Sequence, residues 1–121
     1  MYKIGLASSH GTRKTGLSYG LAEALKKYGS VRVVGELSTI ARERGMPIDQ
    51  KTTLETQAWI LLRHCSAELE GIIYNYKFTI CDRTVYDNYS YMKNAVGENE
   101  YYLNFALNHG KMKKNRKKYR V

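Results

Sequence analysis

The stretch Ile4-Gly5-Leu6-Ala7-Ser8-Ser9-His10-Gly11-Thr12-Arg13-Lys14-Thr15-Gly16-Leu17 decides how the rest of the chain is read. A short apolar run gives way to small and polar residues, then to a Lys-Thr pair and helical periodicity. The pattern G-x-x-x-x-G-K-[ST] describes a strand, a loop whose backbone N–H groups cradle phosphates, and a helix opened by Lys and Ser/Thr. Lys14 and Thr15 stand at its last two positions, while Ser8 and Arg13 occupy the two glycine positions. Ser9, His10, Gly11, Thr12, Arg13, Lys14 and Thr15 are therefore the expected nucleotide-binding set. Their N–H donors would be helped by the partial positive charge of a helix N-terminus. Lys14 would bridge the β- and γ-phosphates, and the Thr15 hydroxyl would hold Mg²⁺.

Working outward, residues 2–9 read as a buried strand feeding that loop. Leu17, Leu21, Leu25 and Tyr28 follow at helical spacing, closed by Gly29 as a C-cap. Gly16 and Gly20 weaken this helix by about 1 kcal/mol each relative to Ala, a cost that close packing on a sheet would justify. Residues 31–36 form a second strand, and a short helix from Ser38 ends at Gly45 with Pro47 beyond it. Thr52-Thr53-Leu54-Glu55 offers a capping box for the longest helix, 53–74, whose apolar stripe is Leu54, Ala58, Leu61, Leu62, Cys65, Leu69, Ile72 and Ile73. Residues 77–82 form a third strand ending in Asp82, and two Tyr-rich helical patterns cover 86–95 and 99–108. Strands alternating with helices over such crossovers predict a parallel sheet with right-handed connections. Ligands of these sheets bind at the carboxyl ends of the strands. Ser9 to Thr15, Glu36, Asp82 and Arg83 all fall there, and Asp82 suits a carboxylate that orients Mg²⁺ or its water.

The 121 residues suit one domain, read as a core over 1–110 and a basic tail over 111–121. The net charge of +9 belongs to that tail, since Lys111, Lys113, Lys114, Arg116, Lys117, Lys118 and Arg120 leave the preceding chain at +2. Such a tail attracts nucleic acid or anionic lipid by steering and counterion release, or else is a solvated, disordered end. No apolar run approaches the about 20 residues of a membrane span, and no signal peptide follows Met1. Cys65 and Cys81 lack metal-ligand spacing. They read as two buried reduced thiols of a cytoplasmic protein, with one disulfide as the alternative. The tyrosines Tyr86, Tyr89, Tyr91, Tyr101 and Tyr102 suit either half-buried packing or stacking on a base. His64 and His109 have no companion ligands at useful spacing.

Gly5-Leu6-Ala7-Ser8-Ser9-His10-Gly11-Thr12-Arg13-Lys14-Thr15, Gly35-Glu36 with Arg42, Gln57 in the long helix, and Cys81-Asp82-Arg83-Thr84-Val85-Tyr86-Asp87-Asn88 carry a family likeness over residues 2–95. The chain resembles the P-loop NTPases of the group that joins AAA-type single-domain ATPases with nucleoside, nucleotide and ribosylnicotinamide kinases. The resemblance implies a three-layer α/β fold of strand order 2-3-1-4-5. It also implies binding of ATP with Mg²⁺, and phosphoryl transfer to a small-molecule acceptor. Lys14, Glu36, Asp82 and Arg83 would then be catalytic. Glu36 matches the residue that accepts the acceptor hydroxyl's proton, and Arg83 the one that contacts acceptor or phosphate. Gln57 matches a position that reaches an acceptor base, and Arg42 either contacts the acceptor or pairs with Glu43 or Glu55. Thr15 and Asp82 would serve the metal.

Two departures from the family shape further expectations. Arg13 brings a Cβ to the phosphate, at a cost on the order of 1–3 kcal/mol of strain. No apolar run follows Leu107, so the parallel sheet is expected to be incomplete, with three strands in order 2-3-1 flanked by helices. The first strand would then be a sheet edge, inviting either a homodimer or occlusion by the tail. The alternative to an active kinase is a degenerate or truncated remnant, acting as a binding protein through the basic tail on nucleic acid.

Overall fold

The structure, a computed structural model, describes the backbone of residues 2–6, 14–111 and 117–120. Strands β1 (Tyr2–Gly5), β2 (Val31–Val34), β3 (Phe78–Cys81) and β4 (Lys117–Arg120) alternate with helices α1 (Lys14–Leu25), α2 (Leu37–Glu43), α3 (Leu54–Ile73), α4 (Val85–Val96) and α5 (Glu100–Lys111). All strand pairings are parallel, in the order β2-β3-β1-β4. The α/β class, the parallel sheet and the 2-3-1 order agree with the sequence reading. The strand count does not. Lys117–Arg120 adds a fourth strand against β1, where three strands and a disordered 111–121 tail were expected; of the two outcomes open for the β1 edge, it is covered by the tail. The reason is that strand pairing is a main-chain interaction. An outermost strand needs N–H and C=O groups rather than apolar side chains, and Lys-rich sequence is common at sheet edges. With β1 internal, the premise for a dimer through that edge falls away.

Where one domain over 1–110 was expected, the described chain gathers into two compact units. The first draws on Met1–Gly35, Ala67–Thr84 and Lys114–Val121, and the second on Glu36–Ser66 and Val85–Lys113. The core of the first is Leu6, Ala22 and Ile80, with Ile4, Leu21, Leu25, Val31 and Val33 packed against it. In α1 the buried positions are Ser18 and Ala22, whereas Leu17 is exposed. Small side chains face inward because they let the helix approach closely. Gly16 and Gly20 do not: a Cβ at either would meet nothing within 4 Å. Gly29 closes a single 3-10 turn, Lys26–Tyr28, as its C-cap, with a φ of 159° that side-chain-bearing residues rarely adopt. The Lys77 side chain also crosses it, placing its Cβ 2.9 Å from where a Gly29 Cβ would lie.

In the second unit, Leu61, Cys65, Val85, Tyr89, Met92 and Ala106 form one cluster, and Leu37, Ala41 and Ile60 a smaller one joined by Trp59. The helix α3 begins one residue later than the capping box suggested. Thr53 is its cap, accepting from the Thr56 N–H at 3.2 Å. Asn99 caps α5 in the same way, accepting from Tyr102 N–H at 3.1 Å, and exchanges hydrogen bonds with the buried Tyr89 hydroxyl. Tyr89 is thus a packing residue, while Tyr86, Tyr91 and Tyr101 are exposed.

The α3 stripe also differs from expectation. Ala58, Leu61 and Cys65 are buried, but Leu62 and Ile73 face solvent and Glu68 is only 1 % exposed. Glu68 Oε1 meets the ammonium of Lys3 on β1 at 2.5 Å, and Cys81 Sγ lies 3.9 Å from Oε2. A buried ammonium and carboxylate each lose hydration, so removing either leaves the other buried without its countercharge. Burial pushes the Cys81 thiol far above its ordinary range, and the neighbouring Glu68 adds to the effect while Lys3 opposes it. Both cysteines are buried and free, as the reduced-thiol reading expected.

Lys3→Met leaves a buried carboxylate without its cation and should cost about 3–5 kcal/mol, whereas Lys3→Met with Glu68→Leu should recover most of that loss. Urea midpoints decide this, and a double variant as unstable as the single would contradict it. In the open space beside α1, Gly20→Ala should raise stability by up to about 1 kcal/mol. An unchanged or lower melting temperature would contradict that prediction.

Candidate functional site

Strand register places Val34, Cys81, Gly5 and Arg120 in one row across the sheet. The residues that leave the strands therefore emerge at a common end. Asp82 N–H donates to Val34 O at 3.0 Å, and Leu6 N–H donates to Cys81 O at 2.9 Å, extending the ladder past the row. Gly5 is required there because a Cβ would lie 2.5 Å from Thr84 Cγ2. That close approach lets the segment after β3 fold across the end of β1.

Asp82 is the centre of this end of the sheet. It is 3 % exposed, and its Oδ1 accepts a hydrogen bond from the hydroxyl of Ser18, itself fully buried in α1. The other carboxylate oxygen, Oδ2, has no hydrogen-bond partner among the described residues. A buried carboxylate with one oxygen satisfied and one available suits a hard cation or a donor-bearing ligand. Ser18 lies one helical turn past Lys14, so α1 runs beside Asp82 within its first two turns. Arg83 follows, half-buried and engaged with other groups.

Ser9, His10, Gly11, Thr12 and Arg13 lie outside the described residues, as do the side chains of Lys14 and Thr15 and those of 111–121. The backbone of Lys14 and Thr15 opens α1, at the place the motif assigns to the helix start.

The remaining candidates belong to the second unit. Glu36 precedes α2 and accepts from Ser38 Oγ at 3.2 Å. Arg42 forms an exposed ion pair with Asp49 at 3.0 Å, in place of the Glu43 or Glu55 suggested by sequence. Gln57 is buried, its amide donating to Thr52 Oγ1 at 2.9 Å. Its side-chain oxygen has no partner among the described residues.

Ser18 was missed because Leu17 carried the apparent periodicity of α1. A small hydroxyl residue four after a Lys-Thr helix start, with Ala22 four further on, is the signal that could have found it. No helix among the described residues is long and apolar enough to cross a membrane. The sequence matches no protein-family model and no curated protein.

Gly5→Ala should cost about 1–3 kcal/mol through overpacking against Thr84, and adding Thr84→Ser, which removes the opposing methyl, should restore most of it. Equal unfolding midpoints for the single and double variants would contradict this account.

Proposed function

We propose that the chain binds ATP with Mg²⁺ at the carboxyl end of its sheet, and transfers a phosphoryl group to a small acceptor, in the manner of the P-loop kinases it resembles. The observation that carries the reading is Asp82: a buried carboxylate at a strand end, tied through Ser18 to the opening turns of α1, with one oxygen that has no partner among the described residues. The strand order β2-β3-β1-β4 supports it, as does the helix that begins at Lys14.

Oxygen donors of this type fit Mg²⁺, which keeps several waters and takes one or two protein ligands. Asp82 and Thr15 would hold it, and the ion would neutralise charge on the phosphate oxygens. Lys14 would bind the β- and γ-phosphates, with N–H groups of residues 9–15 around them. Glu36 would accept the acceptor's proton, Arg83 would contact acceptor or phosphate, and Gln57 and Arg42 would belong to the acceptor side. Gln57 has a buried oxygen to offer, while Arg42 must give up Asp49 to serve.

Calorimetric titration of ATP with Mg²⁺ tests the reading. The native chain should bind, Arg13→Gly should bind more tightly by the about 1–3 kcal/mol of strain relieved, and Asp82→Asn should bind more weakly. Binding by the glycine variant alone would mark a degenerate loop. Absence of binding by both the native and the glycine chain would end the nucleotide reading.

A further inference from the structure

In the second unit, Trp59 of α3 sits at the edge of the cluster formed by Leu37, Ala41 and Ile60. That packing holds the indole in place while leaving it partly open to solvent. The guanidinium carbon of Arg44, at the end of α2, lies 5.6 Å from the ring centroid, and that of Arg63, one turn along α3, lies 5.9 Å from it. Both arginines are exposed. Neither forms an ion pair or hydrogen bond through its side chain with any described residue. This contrasts with Arg32 and Arg42, which are paired with Glu70 and Asp49. Glu43 adjoins Arg44, yet the ion pair is not made.

Two like charges gathered on one aromatic ring repel each other, and no described carboxylate forms an ion pair with either. The negative end of α2 accounts for a cation at Arg44, but not for Arg63, which lies within a helix. A guanidinium held over a ring by its charge keeps its N–H donors for another partner. Two arginines over one indole supply the donors and the double charge that a phosphoryl group takes; a carboxylate would engage a single fork.

We propose that Arg44, Trp59 and Arg63 form a phosphate-binding site, selective for a dianionic phosphoryl group such as that of pyrophosphate or a terminal phosphate ester. The site uses neither Lys14 nor Asp82, so it stands apart from the nucleotide reading.

Trp59 is the only tryptophan in the chain, so its fluorescence reports on this site alone. The full chain is titrated with inorganic pyrophosphate at constant ionic strength. A saturable change in emission is expected. Arg44→Gln and Arg63→Gln should each weaken binding by about tenfold or more, with Lys at either position restoring part of it. Lys14→Ala and Lys51→Gln should leave the titration unchanged, since the first touches only the proposed nucleotide loop and the second removes charge without touching Trp59. Circular dichroism checks that each variant is folded, and the Arg→Lys pair carries the comparison if a Gln variant is not. The proposal is overturned by a linear response, by a response that both Arg→Gln variants retain, or by one that Lys14→Ala abolishes. A response to a short oligonucleotide lacking a terminal phosphate, with none to pyrophosphate, would overturn it too.

Discussion

The β1 strand is hydrogen-bonded on both sides, by β3 and by β4, and much of the first unit follows from that constraint. An internal parallel strand cannot be joined to its neighbours by tight turns. Each neighbour must come from a distant part of the chain after a crossover, which is why residues near 2, 78 and 117 meet. Parallel pairing also points every carboxyl end the same way. The segments after Gly5, Val34 and Cys81 thus leave the sheet together, with Leu6 continuing from an inner strand of the row. Main-chain pairing alone sets these demands, so a strand as basic as Lys117–Arg120 can meet them.

A second consequence is electrostatic. Lys3 lies on this internal strand, and its ammonium is largely withdrawn from water. Its burial is tolerable only beside a countercharge, which fixes Glu68 on the inner face of α3. Glu68 in turn shapes Cys81, whose thiol is kept neutral mainly by burial and further by that carboxylate. A thiol held this way is a poor nucleophile, because that role needs the thiolate. Lys3, Glu68 and Cys81 form one buried polar contact in the first unit. Asp82, one residue further along, differs in having an oxygen with no partner among the described residues.

Most of the architecture was legible in the sequence because strand and helix periods are set by burial, and burial dominates in β2, β3 and the long helix. What the sequence concealed has a common physical cause: side chains that look polar in isolation but are partnered in the fold. Glu68 interrupts the apolar stripe of α3, and Ser18 the stripe of α1, so the stripes were traced through Leu62, Ile73 and Leu17, which face solvent. The fourth strand was concealed because its pairing is carried by backbone groups, to which hydropathy is blind. At the site, Asp82 was visible from its place after an apolar strand. Its hydrogen bond to Ser18 was not, because it joins residues 64 positions apart.

That hydrogen bond also bears on how Asp82 could act. A carboxylate on a short segment beyond a strand would sample several rotamers, and a ligand would have to select one. Binding Oδ1 to a buried hydroxyl removes that freedom and leaves Oδ2 as the available oxygen, so the ordering cost falls on folding rather than on binding. Ser18 belongs to α1, whose first residue is Lys14, and the carboxylate is therefore oriented from within the first two turns of that helix. Arg44 and Arg63 are positioned by a different principle, in which both cations lie over one packed indole. In both places the side chain that orients the charge is not the group that would meet the ligand. Each arrangement is thus set by packing before any ligand arrives.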